Sequence, residues 1–183
     1  QQPNRIGLFQ GWAGAMDEGW TRFVFDDFEY AYETLGNADV QANDLSDRFD
    51  VIVFPSEIPL NRMIDGDTAA AVPEEFRGGI GEDGVENLKR FVRAGGTLVT
   101  LERADELVIE HFGVPVRNAL QGVGQPDFYL PTSLLRIELE GDEVTTGSCC
   151  VDELAPPMCG MLVMMINDNS GTKETHHQAR YQL

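Results

Sequence analysis

Short apolar runs recur through the first hundred residues, separated by stretches with helical spacing. Four of these runs, at residues 5–9, 30–35, 49–54 and 97–101, have the length and content of buried strands. Nearly continuous apolar strands are typical of parallel sheets that are covered on both faces. The alternation of strand and helix therefore predicts an α/β fold with a mostly parallel sheet.

Two amphipathic helices are predicted between the strands. The first follows the acidic pair Asp17 and Glu18, which suits the positive end of a helix, and its apolar positions are Trp20, Phe23, Val24 and Phe28. We expect that face to pack on the sheet. The second ends at Gly95 after basic residues, and its apolar positions are Val85, Leu88, Phe91 and Val92.

The connecting segments are less regular. Residues 37–47 form a polar crossover, and residues 57–81 contain so many glycines and prolines that we expect an irregular loop of functional interest. After a short helix at 104–111, residues 133–140 alternate like an antiparallel or edge strand. The last segment, 148–183, has no clear period, and we expect loose packing or partial disorder there.

Composition narrows the classes of partner. The 183 residues suit a single domain, and 13 basic against 31 acidic residues give a formal charge of -18. Such a negative field repels phosphate backbones and anionic membrane surfaces. The composition therefore argues against nucleic acid as a partner. No apolar run reaches the roughly 20 residues of a transmembrane helix, and the N-terminus shows no signal peptide.

Several sequence blocks carry a family resemblance. The chain resembles the class I glutamine amidotransferase-like domain found C-terminal to secreted zinc carboxypeptidases, through RIGL at 5–8, MDEGWTR at 16–22, FDVIV at 49–53, GGIG at 78–81, GGTLV at 95–99, FGVPVRN at 112–118 and FYLP at 128–131. The likeness covers residues 5–147, and we treat 1–147 as the domain and 148–183 as a divergent tail.

That resemblance implies further expectations. The fold would be a flavodoxin-like three-layer sandwich with helices on both faces of the sheet. The chain would be a fragment of a larger, secreted or periplasmic protein whose peptidase domain lies upstream. The zinc ligands and catalytic glutamate belong to that upstream domain, so we expect neither carboxypeptidase activity nor a metal or cofactor in this chain.

The amidotransferase nucleophile is missing from the expected place. An active enzyme holds a cysteine on a strained elbow between a strand and a helix, and the equivalent junction here is Leu101 to Asp105. It contains neither Cys nor Ser, so Glu102 or Arg103 would occupy the tip. Both are candidate binding residues, because α/β folds place their sites at the carboxyl edge of the sheet; a surface ion pair is the alternative.

Other candidates have weaker signals. Ser56 and Glu57 follow a buried strand, and Glu57 is a candidate binding residue at its end. Ser56 is a conceivable nucleophile with His111 as its base, although a turn-capping role for Ser56 is the commoner case. Trp12, with Trp20 and the aromatic pair at 128–129, could line a cleft with the 57–81 loop. The three cysteines and the adjacent histidines at 176–177 lack the spacing of a structural zinc site.

Three hypotheses follow from these observations. The first is a non-catalytic accessory domain that binds a ligand or regulates an attached peptidase. The second is a small hydrolase, an esterase or peptidase, that uses Ser56 and His111. The third is a structural module that forms a homodimer through the strand near 134–140 and the Met-rich segment 161–166.

Overall fold

Four parallel strands form the main part of the sheet in a computed structural model. The structure describes residues 4–12, 14–55, 59–67, 69, 71–114 and 118, with backbone alone at residue 75 and in four short later strands. The parallel strands are β1 (Ile6–Phe9), β2 (Tyr32–Leu35), β3 (Val51–Phe54) and β4 (Thr97–Leu101), arranged in the order β2-β1-β3-β4. This confirms the predicted parallel α/β sheet, and the order is consistent with a flavodoxin-like layout.

Helical segments connect the parallel strands. These are α1 (Met16–Asp27), α2 (Asn37–Gln41), α3 (Leu45–Arg48), α4 (Leu60–Ile64), a 3₁₀ turn at Glu74–Phe76, α5 (Gly81–Arg93), a second 3₁₀ turn at Glu102–Ala104, and α6 (Asp105–His111). Residues 37–47 are therefore largely helical, and the 57–81 segment contains α4 and the first 3₁₀ turn. The prediction of irregular structure at 57–81 was wrong for these two elements, because burial of Met63 in the core outweighs weak local periodicity. The polar crossover predicted at 37–47 is helical and turns Val40 and Leu45 into the core.

Two of the four later strands extend this sheet. They are β5 (Glu138–Leu139), β6 (Ser148–Cys149), β7 (Val163–Ile166) and β8 (Ala179–Arg180). Strand β7 pairs antiparallel with β4, and β6 pairs with β7, whereas β5 and β8 form a separate two-stranded sheet. The backbone of 163–166 thus belongs to the main sheet, and the antiparallel pairing expected near 133–140 is present at Glu138 and Leu139.

One face of the sheet carries most of the core. Successive strand residues point to opposite faces, so Phe9, Leu35, Ile52 and Phe54 turn to the same side, where the rings of Phe9 and Phe54 stack 4.5 Å apart. Helix α5 packs there through the apolar face that its spacing predicts, and it ends before Gly95 (φ 97°). Helices α2, α3, α4 and α6 also contribute to this cluster.

The other face of the sheet is covered more thinly. Its buried residues are Leu8, Val53 and Leu101, with Phe25 of α1 packed against them. The prediction for α1 was wrong, because Trp20, Phe23, Val24 and Phe28 all point to solvent. Helix α1 instead turns Phe25 and a Glu18–Arg22 ion pair toward the sheet.

Contacts from the sheet hold α1 in that orientation. Arg22 Nη1 donates a 3.0 Å hydrogen bond to the Thr34 hydroxyl on β2, and the Arg22 guanidinium lies 5.4 Å above the centre of the Tyr32 ring. Burying the apolar residues of α1 by rotating the helix would break both contacts.

No helix among the described residues is long and apolar enough to cross a membrane.

Candidate functional site

The carboxyl ends of β1, β3 and β4 meet at one edge of the sheet, because these strands are parallel neighbours. Strand β1 has β2 as its neighbour on one side and β3 on the other. The chain leaves β1 toward β2, and it later returns to the other side of β1 to form β3. Such a change of direction opens a crevice between the loops, and α/β folds bind ligands there. The segments that start at Gln10, Pro55 and Glu102 all begin at this edge.

A hollow lies beside the end of β1. We call it the edge hollow, and it is lined by Phe9, Gly11, Trp12, Asn37, Arg62, Met63, Asp67 and Phe76. The space inside it is about 40 Å³, within a wider region of about 430 Å³ that includes open solvent. The structure thus brings Trp12 together with residues of the 57–81 segment, as the sequence predicts, whereas Trp20 lies on the exposed side of α1.

Two aromatic rings form one wall of the edge hollow. The centres of the Trp12 and Phe76 rings are 5.3 Å apart, with 45° between the ring planes. Trp12 keeps 48% of its surface exposed, so it is available to a ligand. Aromatic walls of this kind offer a large contact area at low entropic cost.

Hydrogen bonds fix the segment that carries Phe76. The side chain of Asn37, at the start of α2, is buried, and its Nδ2 donates to the Phe76 carbonyl at 3.2 Å. One turn later, Gln41 Nε2 donates to the Gly79 carbonyl, also at 3.2 Å. The aromatic wall is therefore tied to α2, which supports a hollow formed before any ligand arrives.

Charges of both signs line the edge hollow. Asp67 Oδ1 accepts a 3.0 Å hydrogen bond from the Ala69 backbone N–H, which orients this carboxylate. Arg62 is exposed on α4, and no carboxylate pairs with it within the described ranges. Arg5, Arg22 and Arg48 each have a carboxylate partner. The Arg62 guanidinium is thus available to an anionic ligand, and it is the only cation among the described residues that line the edge hollow.

The β4–α6 junction has a strained backbone at the same edge. Glu102 follows the last residue of β4 and has φ 50°, in the left-handed region that a non-glycine residue rarely adopts. The chain then makes the Glu102–Ala104 turn into α6. Strained residues cluster at functional sites, and Glu102 is one of the two residues that the sequence places at the tip of this strand-to-helix junction. The side chains of Glu102 and Arg103 are both half-buried.

A buried carboxylate lies just beyond this elbow. Asp105 begins α6 and is 2% exposed. Its Oδ1 accepts a 2.6 Å hydrogen bond from the Thr100 hydroxyl, while Oδ2 has no hydrogen-bond partner among the described residues. Burial raises the pKa of Asp105 to about 7, against the lowering effect of the Thr100 hydrogen bond, and the charge of Glu102 raises it further. Asp105 therefore gains or loses its proton near neutral pH.

The remaining predicted residues lie elsewhere. Ser56, Glu57, the aromatic pair at 128–129 and the histidines at 176–177 are outside the described residues. His111 is the last residue of α6, and helical rise places it about 10 Å along the axis from the elbow end. The pairing of Ser56 with His111 stays a prediction. Within the described part of the chain, no group of three or more His, Cys, Asp or Glu residues is arranged to hold a metal ion.

Several residues of this edge have no clear signal in the sequence. Asn37, Arg62, Asp67 and Phe76 come from three separate segments, and no local spacing links them. Asp105 had the signature of an ordinary acidic residue at a helix N-terminus. Only its position five residues after Thr100, across a strand-to-helix turn, hinted at their contact.

Known proteins supply no relative for this arrangement: no family model, no curated protein and no solved structure matches the chain.

Proposed function

We propose that this chain is a non-catalytic accessory domain of the amidotransferase-like type, which binds a small ligand at the carboxyl edge of its sheet. The observation that carries the proposal is the edge hollow, where an aromatic wall and an available guanidinium line one space. A flavodoxin-like three-layer arrangement fits the strand order and the helices on both faces.

The elbow supports the non-catalytic part of the proposal. Glu102 has a positive φ at a turn between a strand and a helix, which is the geometry that presents a nucleophile in active amidotransferase-like enzymes. A carboxylate at this point has neither the thiol nor the hydroxyl that acyl transfer requires. The strained turn is thus present with a residue that cannot form the acyl intermediate of an amidotransferase.

The sequence resemblance supports the proposed context. An upstream peptidase domain in a larger secreted or periplasmic protein would give an accessory domain its role, either in substrate binding or in regulation. The ligand would then act on the whole protein through this domain. This part of the proposal rests on the sequence blocks at 5–8, 16–22 and 95–99.

The lining of the edge hollow indicates the chemistry of the ligand. Arg62 would bind a carboxylate, and the rings of Trp12 and Phe76 would contact an aromatic or apolar group. The rest of the chain carries a large negative charge, so an anion would be held by this local cation against an unfavourable overall field. A small aromatic carboxylate combines both features.

Binding of phenylacetate tests the proposal. In a Trp20→Phe background Trp12 is the only remaining tryptophan, so its fluorescence reports on the edge hollow. We expect saturable binding of phenylacetate that weakens at least fivefold in Arg62→Gln and in Phe76→Ala. Arg93→Gln removes an exposed arginine at the far end of α5 and serves as the matched control, which should bind normally.

Two further probes separate the parts of the proposal. Benzylamine has a similar ring with the opposite charge, so equal binding of benzylamine would refute the role of Arg62. An activated ester tests for hydrolysis, with Ser56→Ala and a chelator as controls. Turnover that Ser56→Ala abolishes would establish the hydrolase hypothesis and overturn the non-catalytic one, whatever phenylacetate does.

A further inference from the structure

Helix α1 exposes an unusual amount of apolar surface. Met16, Trp20, Phe23 and Val24 retain between 45% and 69% of their surface exposed, and Phe28 at the helix end is 67% exposed. Residues 16, 20, 23 and 24 lie on one side of a helix with 3.6 residues per turn. We call these four residues the apolar face of α1. Contiguous exposed patches of this kind mark interaction sites in soluble proteins.

The apolar face of α1 is a fixed feature. The opposite side of the helix contacts the sheet through Phe25, whose ring centre is 5.4 Å from that of Tyr32, and through the Arg22 contact with Thr34. Trp20 and Phe23 pack edge to face, with ring centres 5.8 Å apart. These contacts present a preformed aromatic pair at the centre of the surface, where binding hot spots are commonly found.

Gly19 provides a second, independent observation. It lies inside α1 beside Trp20 and Phe23, and a Cβ built at this position would meet no atom within 4 Å. A glycine in a helix interior costs about 1 kcal/mol relative to alanine, and packing within the described chain does not require one here. A gap beside two aromatic rings would let a second helix approach closely.

The charges around this surface indicate the chemistry of its partner. Between Met16 and Glu29 the chain has five carboxylates and one arginine, and that arginine is paired with Glu18. The last turn of α1 contains Asp26 and Asp27 and no basic residue. Carboxylates at the negative end of a helix are unfavourable, and a cationic partner would relieve this repulsion.

We propose that the apolar face of α1 docks an apolar helix of another protein, and that this helix carries lysine or arginine residues toward Asp26 and Asp27. Helices that lay an apolar face onto a partner surface are a recurrent mode of recognition. A second copy of this chain fits less well, because it would place the same acidic residues against each other. The inference does not depend on the ligand of the edge hollow.

A designed peptide tests the docking surface. The probe is an amphipathic helix of leucine and lysine without tryptophan, added to the Trp12→Phe variant, in which Trp20 is the only tryptophan. We expect the Trp20 emission to shift to shorter wavelength as its ring is buried, and the affinity to fall as salt is added. A leucine and glutamate helix of the same pattern should bind at least tenfold more weakly.

Three variants separate docking from simple charge attraction. Phe23→Asp adds a negative charge, so non-specific attraction to lysine would increase, whereas docking predicts at least a tenfold loss of affinity. Asn61→Asp adds the same charge at an exposed position of α4 and should not weaken binding. Gly19→Leu starts a side chain in open space, because a Cβ at this position meets no atom within 4 Å, and it should weaken binding of the peptide.

Three outcomes would overturn the inference. Equal or tighter binding to Phe23→Asp would show attraction by charge alone. Absence of a Trp20 shift with the lysine peptide would show that the face does not dock such a helix. A dimer in sedimentation that strengthens with salt and is lost in Phe23→Asp would identify a second copy as the occupant. None of these outcomes bears on phenylacetate binding, which is measured through Trp12.

Discussion

The Thr100 hydroxyl donates a 2.6 Å hydrogen bond to Asp105 Oδ1, and both side chains are almost completely buried. One residue lies on β4 and the other begins α6, so the contact spans the turn that carries the strained Glu102. The remaining oxygen, Oδ2, has no partner among the described residues. A protonated carboxyl is therefore the favoured form of Asp105 in this environment.

This carboxyl group predicts a dependence of stability on pH. Its pKa is about 7 in the folded protein, against 3.8 as the ordinary value, so between these values the folded state retains a proton that the unfolded state has lost. The contribution of Asp105 to the free energy of unfolding is complete below about pH 4 and is lost as pH rises through 7. It amounts to about 4 kcal/mol at most. Urea unfolding from pH 4 to 8 measures this loss.

Two variants isolate the contribution of Asp105. The asparagine in Asp105→Asn cannot ionise, so this variant does not lose the contribution of Asp105. As pH rises from 4 to 7, its free energy of unfolding should therefore increase relative to that of the unmodified protein. Thr100→Val removes the hydrogen bond that lowers the pKa of Asp105. The pH range over which stability is lost should therefore extend to higher pH in this variant. Parallel pH profiles for Asp105→Asn and the unmodified protein would refute the assignment.

The strained backbone at Glu102 makes a separate prediction. Glycine adopts positive φ without steric penalty, so Glu102→Gly should be more stable than Glu102→Ala by about 1 kcal/mol. The alanine variant is the proper reference because it removes the same side-chain contacts and keeps the strain. Thermal unfolding of both variants gives the difference.

Glu29 provides a matched pair for this comparison. It lies just after α1 with φ 56°, and Glu29→Gly should likewise exceed Glu29→Ala by about 1 kcal/mol. Equal gains at both sites would establish the backbone origin of the effect. A loss in Glu102→Gly, with the expected gain at Glu29, would mean that the turn at Glu102 is not left-handed in solution.

Asn87 should be essential to the packing of α5 against α2. Its Nδ2 donates to the carbonyls of Val40, Gln41 and Ala42 at 3.1, 2.6 and 3.1 Å. Because Asn87 is buried, its removal leaves acceptors without a donor, and Asn87→Ala should lower the free energy of unfolding by about 2 kcal/mol. Denaturation in urea measures the change, and exposed Asn61→Ala should differ from the unmodified protein by less than about 0.5 kcal/mol.

Much of the sheet is predictable from the sequence, because buried strands leave a clear signal. The run at 49–54 and the helix that ends before Gly95 both appear in the structure where the apolar pattern places them. Helix α1 was predicted correctly as an element, but its predicted orientation was wrong. Spacing locates an apolar face without showing what covers it, and the Arg22 contacts with Thr34 and Tyr32 decide which side meets the sheet.

The site was less predictable than the fold. Trp12 and Glu102 could be nominated because each follows a strand at the carboxyl edge. Arg62 and Phe76 come from a segment whose composition suggested only an irregular loop. Hydrogen bonds from Asn37 and Gln41 on α2 hold the segment of Phe76 beside Trp12, and no short-range pattern encodes them.

The pairing of β7 with β4 has a consequence for synthesis of the chain. Strand β4 ends at Leu101, but its antiparallel neighbour extends to Ile166. At about 5–20 residues per second, synthesis leaves this edge of β4 without β7 for roughly 3 to 13 seconds. During that interval the outer amides and carbonyls of an apolar strand are open to strands of other nascent chains. Chaperone binding near β4 would protect the protein at this stage.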